Sequence, residues 1–178
     1  MRKIVLTFGL IAGAIMSGML ALATPFQDEI GFDRGAIIGY TSMVLAFLMI
    51  YFGVRSYRDT VGAGAVTFGR ALTVGLAIVL VATACYVVTW EVIFYTTSTD
   101  FTEKYAAHTL AQARAAGATE AELAAKAREM AEFGELYKNP LVNIAFTLLE
   151  PLPVGIPFSL LSAWLLSRKR RVEAMATT

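Results

Sequence analysis

The sequence predicts an all-α integral membrane protein, a bundle of four transmembrane helices with an extracytoplasmic helical hairpin between the third and the fourth. Three observations lead there. The chain is 57% hydrophobic and 16% charged over 178 residues, with a mean hydropathy of +0.61, too apolar for an ordinary soluble domain. Its apolar residues fall in four blocks, about 4–24, 35–54, 71–95 and 140–166, each near the length of roughly 20 residues that a helix needs to cross about 30 Å of hydrocarbon. The one sizeable polar stretch, about 99–138, has helical periodicity and lies between the last two blocks. Residues 1–178 therefore read as a single membrane domain.

The first block, IVLTFGLIAGAIMSGMLALAT, follows Arg2 and Lys3. A basic start, an apolar run and the small-residue triplet Ala21-Leu22-Ala23 also fit a signal peptide cleaved after Ala23. The run is longer than the usual signal core of about 7–15 residues. Gly9, Gly13 and Ser17 moreover recur every fourth position, a small-residue face by which membrane helices approach closely. These two features favour a retained helix over cleavage.

A short loop, Pro25 to Arg34, precedes the second block, GAIIGYTSMVLAFLMIYFG. Gly31, Gly35 and Gly39 repeat the four-residue spacing and predict a second close helix contact. Tyr40 and Tyr51 bracket the span as interfacial aromatics do. The next connection carries Arg55, Arg58 and Arg70 and turns at Gly62-Ala63-Gly64. Its GAGAVTFG string lacks the Gly-Lys-Ser/Thr ending and the preceding strand of a phosphate loop, so nucleotide binding is not expected. The third block ends on Tyr86, Trp90, Phe94 and Tyr95, with Glu91 among them at a depth where a carboxylate reaches headgroups or water. The single Cys85 lies inside this block, so no disulfide is expected, and a small apolar packing residue is its reading.

In the polar stretch, Asp100 with Glu103 and Thr119 with Glu122 have capping-box spacing, and Gly117 reads as a helix stop. Two helices follow, about 101–116 and 120–137. The first has a stripe of Phe101, Tyr105, His108 and Gln112, the second a stripe of Leu123, Ala127, Met130, Phe133 or Gly134, and Tyr137. Such stripes pack on each other, on the membrane face or on a partner. A homo-oligomer, or a membrane or periplasmic protein partner engaged by the hairpin, is the expectation, beside the lipid bilayer itself. His108 is the single histidine, and no zinc-type spacing, nucleophile–base pair or cofactor motif occurs. The sequence thus calls for no cofactor, no metal and no enzyme activity. A net charge of +1 without a basic aromatic stripe excludes a nucleic-acid binder.

Positive charge in short loops sets orientation. Arg2, Lys3, Arg55, Arg58, Arg70 and the final cluster Arg168-Lys169-Arg170-Arg171 fall on one side of four spans. Both termini are expected in the cytoplasm and the hairpin outside.

The fourth block holds Glu150 near its middle, followed by Pro151, Pro153 and Pro157. A charge at that depth costs about 2.5–3.5 kcal/mol on insertion scales. Pro151 and Pro153 free the carbonyls of Thr147 and Leu149, four residues earlier, and so break the helix. A carboxylate beside freed carbonyls is either an intramembrane polar site, as at ion and proton sites of transporters, or a hydrogen-bonded kink. In the second reading Tyr40, Thr41, Ser42 and Thr83 are the candidate partners. Glu150 and Glu91 are the candidate polar site residues.

Several separated motifs then occur in a recurring order: RGAIIGY at 34–40, YFGVRSYRD at 51–59, FGRAL at 68–72, Tyr86 with Trp90-Glu91, YKNP at 137–140, LEPLPVG at 149–155 and SLLSAWLLSRKR at 159–170. In these the chain resembles the bacterial membrane family catalogued as domain of unknown function 4199. The resemblance covers nearly the whole chain and implies a four-pass inner-membrane protein of Gram-negative bacteria. It brings no activity, cofactor or residue role. Two functions follow as expectations: a non-enzymatic interaction or assembly protein, and alternatively a small oligomeric transporter or ion-coupled protein using Glu150.

Overall fold

The computed structural model describes residues 1–167, and every regular element among them is helical. The basic cluster Arg168 to Arg171 lies outside the described residues. Four helical stretches are long and apolar enough to cross a membrane: Arg2–Ile30, Phe32–Thr60, Phe68–Thr96 and Pro140–Ser167. Each outruns the apolar block that marks it, because the flanking polar residues continue the helix. A helix of 29 residues is about 43 Å long, so its ends project beyond the hydrocarbon.

Helix α1 (Arg2–Ala23) is followed by a 3-10 turn, Thr24–Phe26, and a single turn of α2 (Gln27–Ile30). The expected loop from Pro25 to Arg34 is therefore mostly helical. Pro25 sits at the start of the 3-10 turn, where its missing N–H costs nothing. The chain turns only at Gly31, whose φ of +75° suits glycine. Helix α3 (Phe32–Thr60) starts there. Ala63 and Gly64, both at positive φ, reverse the chain, and Thr67 caps α4 (Phe68–Thr96) by accepting from the Arg70 N–H at 3.4 Å.

Helix α4 is the centre of the bundle, with α1, α3 and the last span packed around it. Without a hydrophobic driving force between helices in lipid, close backbone approach supplies the packing. At Gly9 an added Cβ would meet the Val81 Cβ at 2.6 Å, and at Gly13 the Cys85 Cβ at 2.7 Å. Gly75 and Gly155 admit the last span against α4 in the same way, through Ser159 and Val79. The core centres on Phe47, Ile50, Val74, Ile78 and Met16, all essentially without exposure.

The polar stretch forms α5 (Phe101–Ala115) and α6 (Glu120–Tyr137), which pack on each other. Thr119 and Glu122 make a reciprocal capping box, and the hydrogen bonds from Thr119 hold the Glu122 carboxyl below the usual range. Gly117, at φ +85°, ends α5 as its N–H donates to Arg114 and that of Ala118 donates to Ala113. The expected Asp100–Glu103 box does not form. Asp100 makes no side-chain cap and pairs with Lys104 at 3.0 Å, a charged partner one turn along that outcompetes a neutral backbone N–H.

The last span is two helices, α7 (Pro140–Leu149) and α8 (Leu152–Ser167), interrupted at Glu150-Pro151. Asn139 caps α7 by accepting from the Leu141 N–H at 3.0 Å. Glu150 keeps helical angles, φ −61° and ψ −46°, so the break is a loss of hydrogen bonds and not an unwinding. Pro153 falls in the first turn of α8, whose N–H groups have no helical partner in any case. Pro157 lies inside α8, which continues through it.

Candidate ligand-binding cleft beneath α5

At the end of the bundle that carries α5 and α6, a cavity of about 440 Å³ runs from the α5 surface down to Glu150. One wall is α3, through Gly35, Gly39 and Tyr40; the opposite wall is α4, through Tyr86 and Trp90. Phe101, Tyr105, His108 and Gln112, the whole α5 stripe, form the roof. Tyr137, Thr147 and Glu150 close the remaining side, with Glu150 the deepest of them.

Gly35 and Gly39 of α3 line this cavity. An added Cβ at Gly31 or Gly39 would meet nothing within 4 Å, and at Gly35 only the Gln27 side-chain amide, at 3.5 Å. The close contact expected at Gly31, Gly35 and Gly39 does not form within the chain among the described residues. Four-residue spacing puts small residues on one helix face, but it does not say whether a neighbour or a space lies opposite. Here Gly35 and Gly39 leave room that larger side chains would fill.

Glu150 is half-buried, and Tyr86 Oη donates to its Oε2 at 3.1 Å. Tyr40, Thr41, Ser42 and Thr83 do not serve as partners. The Ser42 hydroxyl donates within its own helix to Gly39, and the buried Thr83 Oγ1 has no partner among the described residues. Tyr86 and Glu150 lie each ten residues from the α5–α6 ends of their helices, at Thr96 and Pro140, so about 15 Å of helix rise brings both to one level. Level alone does not decide the partner, since Ser42 is also ten residues into its helix, but its hydroxyl is engaged with Gly39.

Above that pair runs a second polar chain. Trp90 Nε1 donates to Asn143 Oδ1 at 2.9 Å and to Tyr137 Oη at 3.1 Å. Thr147 Oγ1 donates to the Asn143 carbonyl at 2.9 Å. Asn143 has no exposure, and its Nδ2 has no hydrogen-bond partner among the described residues. Burial pushes the Tyr137 hydroxyl up, and the charges of Glu150 and Glu91 add to that direction, against the hydrogen bonds with Thr147 and Trp90. Glu91 itself is outside the cavity lining. Its Oε1 is buried and unpartnered among the described residues, while the residue as a whole is partly exposed. The structure thus brings Glu150 to the cleft, whereas Glu91 does not line it.

Aromatic rings surround Phe101. Its centroid is 4.9 Å from Trp90, 5.8 Å from Phe32 and 6.1 Å from Tyr105. Phe133 and Tyr137 of α6 pack on Phe146 of α7, at 5.6 Å and 6.2 Å, so this end of the α6 stripe is occupied within the chain. Polar contacts hold α5 over the mouth. Lys104 Nζ pairs with Asp28 at 2.8 Å, Gln112 donates to Asp33 at 2.9 Å, and the His108 ring lies 3.3 Å from Asp33. Asp28 and Asp100 push the Lys104 ammonium up, and Lys104 in turn holds Asp100 down.

The cleft offers π-faces, hydroxyls and carboxylate oxygens. No Lys or Arg lines it among the described residues, nor does any group of three His, Cys, Asp or Glu that could hold a metal ion occur among them. Sequence reasoning named Glu150 but missed Tyr86, Asn143 and the roof. The signals available were the equal depths of Tyr86 and Glu150 and the four polar or aromatic positions on one face of α5.

No curated protein and no solved structure matches the chain. A family model does, over residues 7–168, and it agrees with the motifs that run from Arg34 to the end of the last span. On that match the chain belongs to the family described as protein of unknown function (DUF4199).

Proposed function

We propose that this protein is a non-enzymatic ligand-binding protein of the bacterial inner membrane. In this reading both termini are cytoplasmic, α5 and α6 are periplasmic, and the cleft opens to the periplasm through the side covered by α5. The observation that carries it is the cavity that reaches Glu150 along a wall kept open by Gly35 and Gly39. Its volume suits a small molecule. Arg2, Lys3, Arg55, Arg58 and Arg70 gather at the opposite end of the bundle, which supports the orientation. The seating of α1 on α4 through Gly9 and Gly13 supports a retained first span.

The transport alternative uses the same residues, with a site at the depth of Glu150 exposed to each side in turn. An assembly role for the hairpin has less support, because Leu123, Phe133 and Tyr137 are engaged within the chain. Thiol labelling separates the first two. Gly39→Cys, in a Cys85→Ala background, puts one thiol on the cavity wall. A membrane-impermeant maleimide applied to intact spheroplasts labels it if the cleft opens outward. Labelling from the cytoplasmic face of inverted vesicles as well favours transport, and no labelling from either face defeats both readings.

A further inference from the structure

We propose that the cleft is a site for an organic cation, a quaternary or protonated amine carrying an apolar body. This rests on the reading of the cleft as a ligand site and adds the charge and shape of the ligand. Three independent features of the wall point to it. The first is the carboxylate at the deep end. Glu150 receives one hydrogen bond among the described residues, from Tyr86, and no Lys or Arg of the lining neutralises it. A carboxylate far from either interface gains most from a partner of opposite charge.

The second feature is the ring content. Tyr40, Tyr86, Trp90, Phe101, Tyr105 and Tyr137 all line the cavity. Aromatic faces attract cations through their quadrupole, and cages of such rings recognise quaternary ammonium groups. The rings also supply apolar surface for a body that water rejects. The third feature is the second carboxylate, Asp33, on the same lining as Glu150. Its Oδ1 holds Gln112 and faces His108, so it is engaged with the roof, yet it keeps the mouth acidic. An anionic ligand would face two carboxylates and no lining Lys or Arg. A neutral apolar one would leave Glu150 without a counter-charge.

The test uses the full chain in lipid nanodiscs, with the Gly39→Cys, Cys85→Ala protein as reporter. Benzyltrimethylammonium is compared with neopentylbenzene, its uncharged carbon isostere, and with benzenesulfonate. Each is scored by how far it slows maleimide labelling of the Gly39→Cys thiol. The expected result is half-maximal protection by the cation at a concentration at least tenfold below that of the isostere, with none by the anion. Adding Glu150→Gln should raise the cation value about tenfold or more and leave the isostere unchanged. Tyr40 is exposed on the wall, so Tyr40→Leu should preserve folding. It should weaken the cation about two- to fivefold and spare the isostere. Equal protection by cation and isostere, or cation protection unaffected by both substitutions, overturns the proposal. A reactive thiol that no probe protects overturns it too and leaves the outward cleft standing. A thiol that never reacts removes the cleft reading itself.

Discussion

The Tyr86 hydroxyl donates a 3.1 Å hydrogen bond to Glu150 across the interface of α4 and α7, joining the central helix to the break in the last span. It gives the intramembrane carboxylate a fixed donor while one side remains open to the cleft. Tyr86→Phe keeps the ring and removes that donor. It is expected to lower stability by about 0.5–1.5 kcal/mol, the range for a side-chain hydrogen bond between membrane helices, read from unfolding in mixed micelles. The double variant with Glu150→Gln should lose less than the sum of the single changes, because the two residues share one interaction.

The two glycine sets should respond oppositely to the same small change. Gly13→Ala drives a methyl into Cys85, and Gly9→Ala drives one into Val81. Each is expected to cost about 1–3 kcal/mol and to loosen α1 from α4. Gly39→Ala meets nothing within 4 Å and should gain up to about 1 kcal/mol through helix propensity. Thermal unfolding of the three variants in one detergent compares them directly.

Trp90 reports on the polar chain above Glu150. Asn143→Leu removes the acceptor 2.9 Å from the indole N–H and also removes the buried amide that has no partner. The gain and the loss nearly offset, so stability should change by less than about 1 kcal/mol. Trp90 emission should move to the blue as the indole loses a polar neighbour, and fluorescence of the variant checks it.

The ion pairs of α5 give the roof a pH window. Asp100 is held below its ordinary value of 3.8, so its contribution is present above that value and is lost as pH falls through the lower folded value. Lys104 is raised above its ordinary 10.5, so its contribution is present below that value and is lost as pH rises through the higher folded value. Amide exchange, corrected for its intrinsic pH dependence, should show α5 best protected between these limits and α4 unaffected. Lys104→Met should flatten the profile.

Much of this architecture was legible in the chain. Four spans follow from block length alone, because hydrocarbon thickness dictates it. Pro151 and Pro153 announce the break, since each lacks an N–H. Thr119 with Glu122 announces a helix start, and Gly117 a stop. The pairing of Tyr86 with Glu150 was harder to read. It depends on how two helices from distant parts of the chain register, and apolar spans carry few side chains that specify register. The spacing of Gly31, Gly35 and Gly39 left its partner open for a related reason: periodicity assigns residues to a face, and only the fold decides what the face meets. The α5 stripe of Phe101, Tyr105, His108 and Gln112 was visible as a stripe, while its role as a roof needed the walls beneath it.

The central claim is that a ligand entering the cleft reaches Glu150. Infrared difference spectroscopy on the full protein in nanodiscs measures this at the carboxyl group itself, with and without benzyltrimethylammonium. A ligand-induced change in a carboxyl band is expected, one that disappears in Glu150→Gln and persists in Glu91→Gln. The same difference spectrum in the native protein and in Glu150→Gln would contradict it.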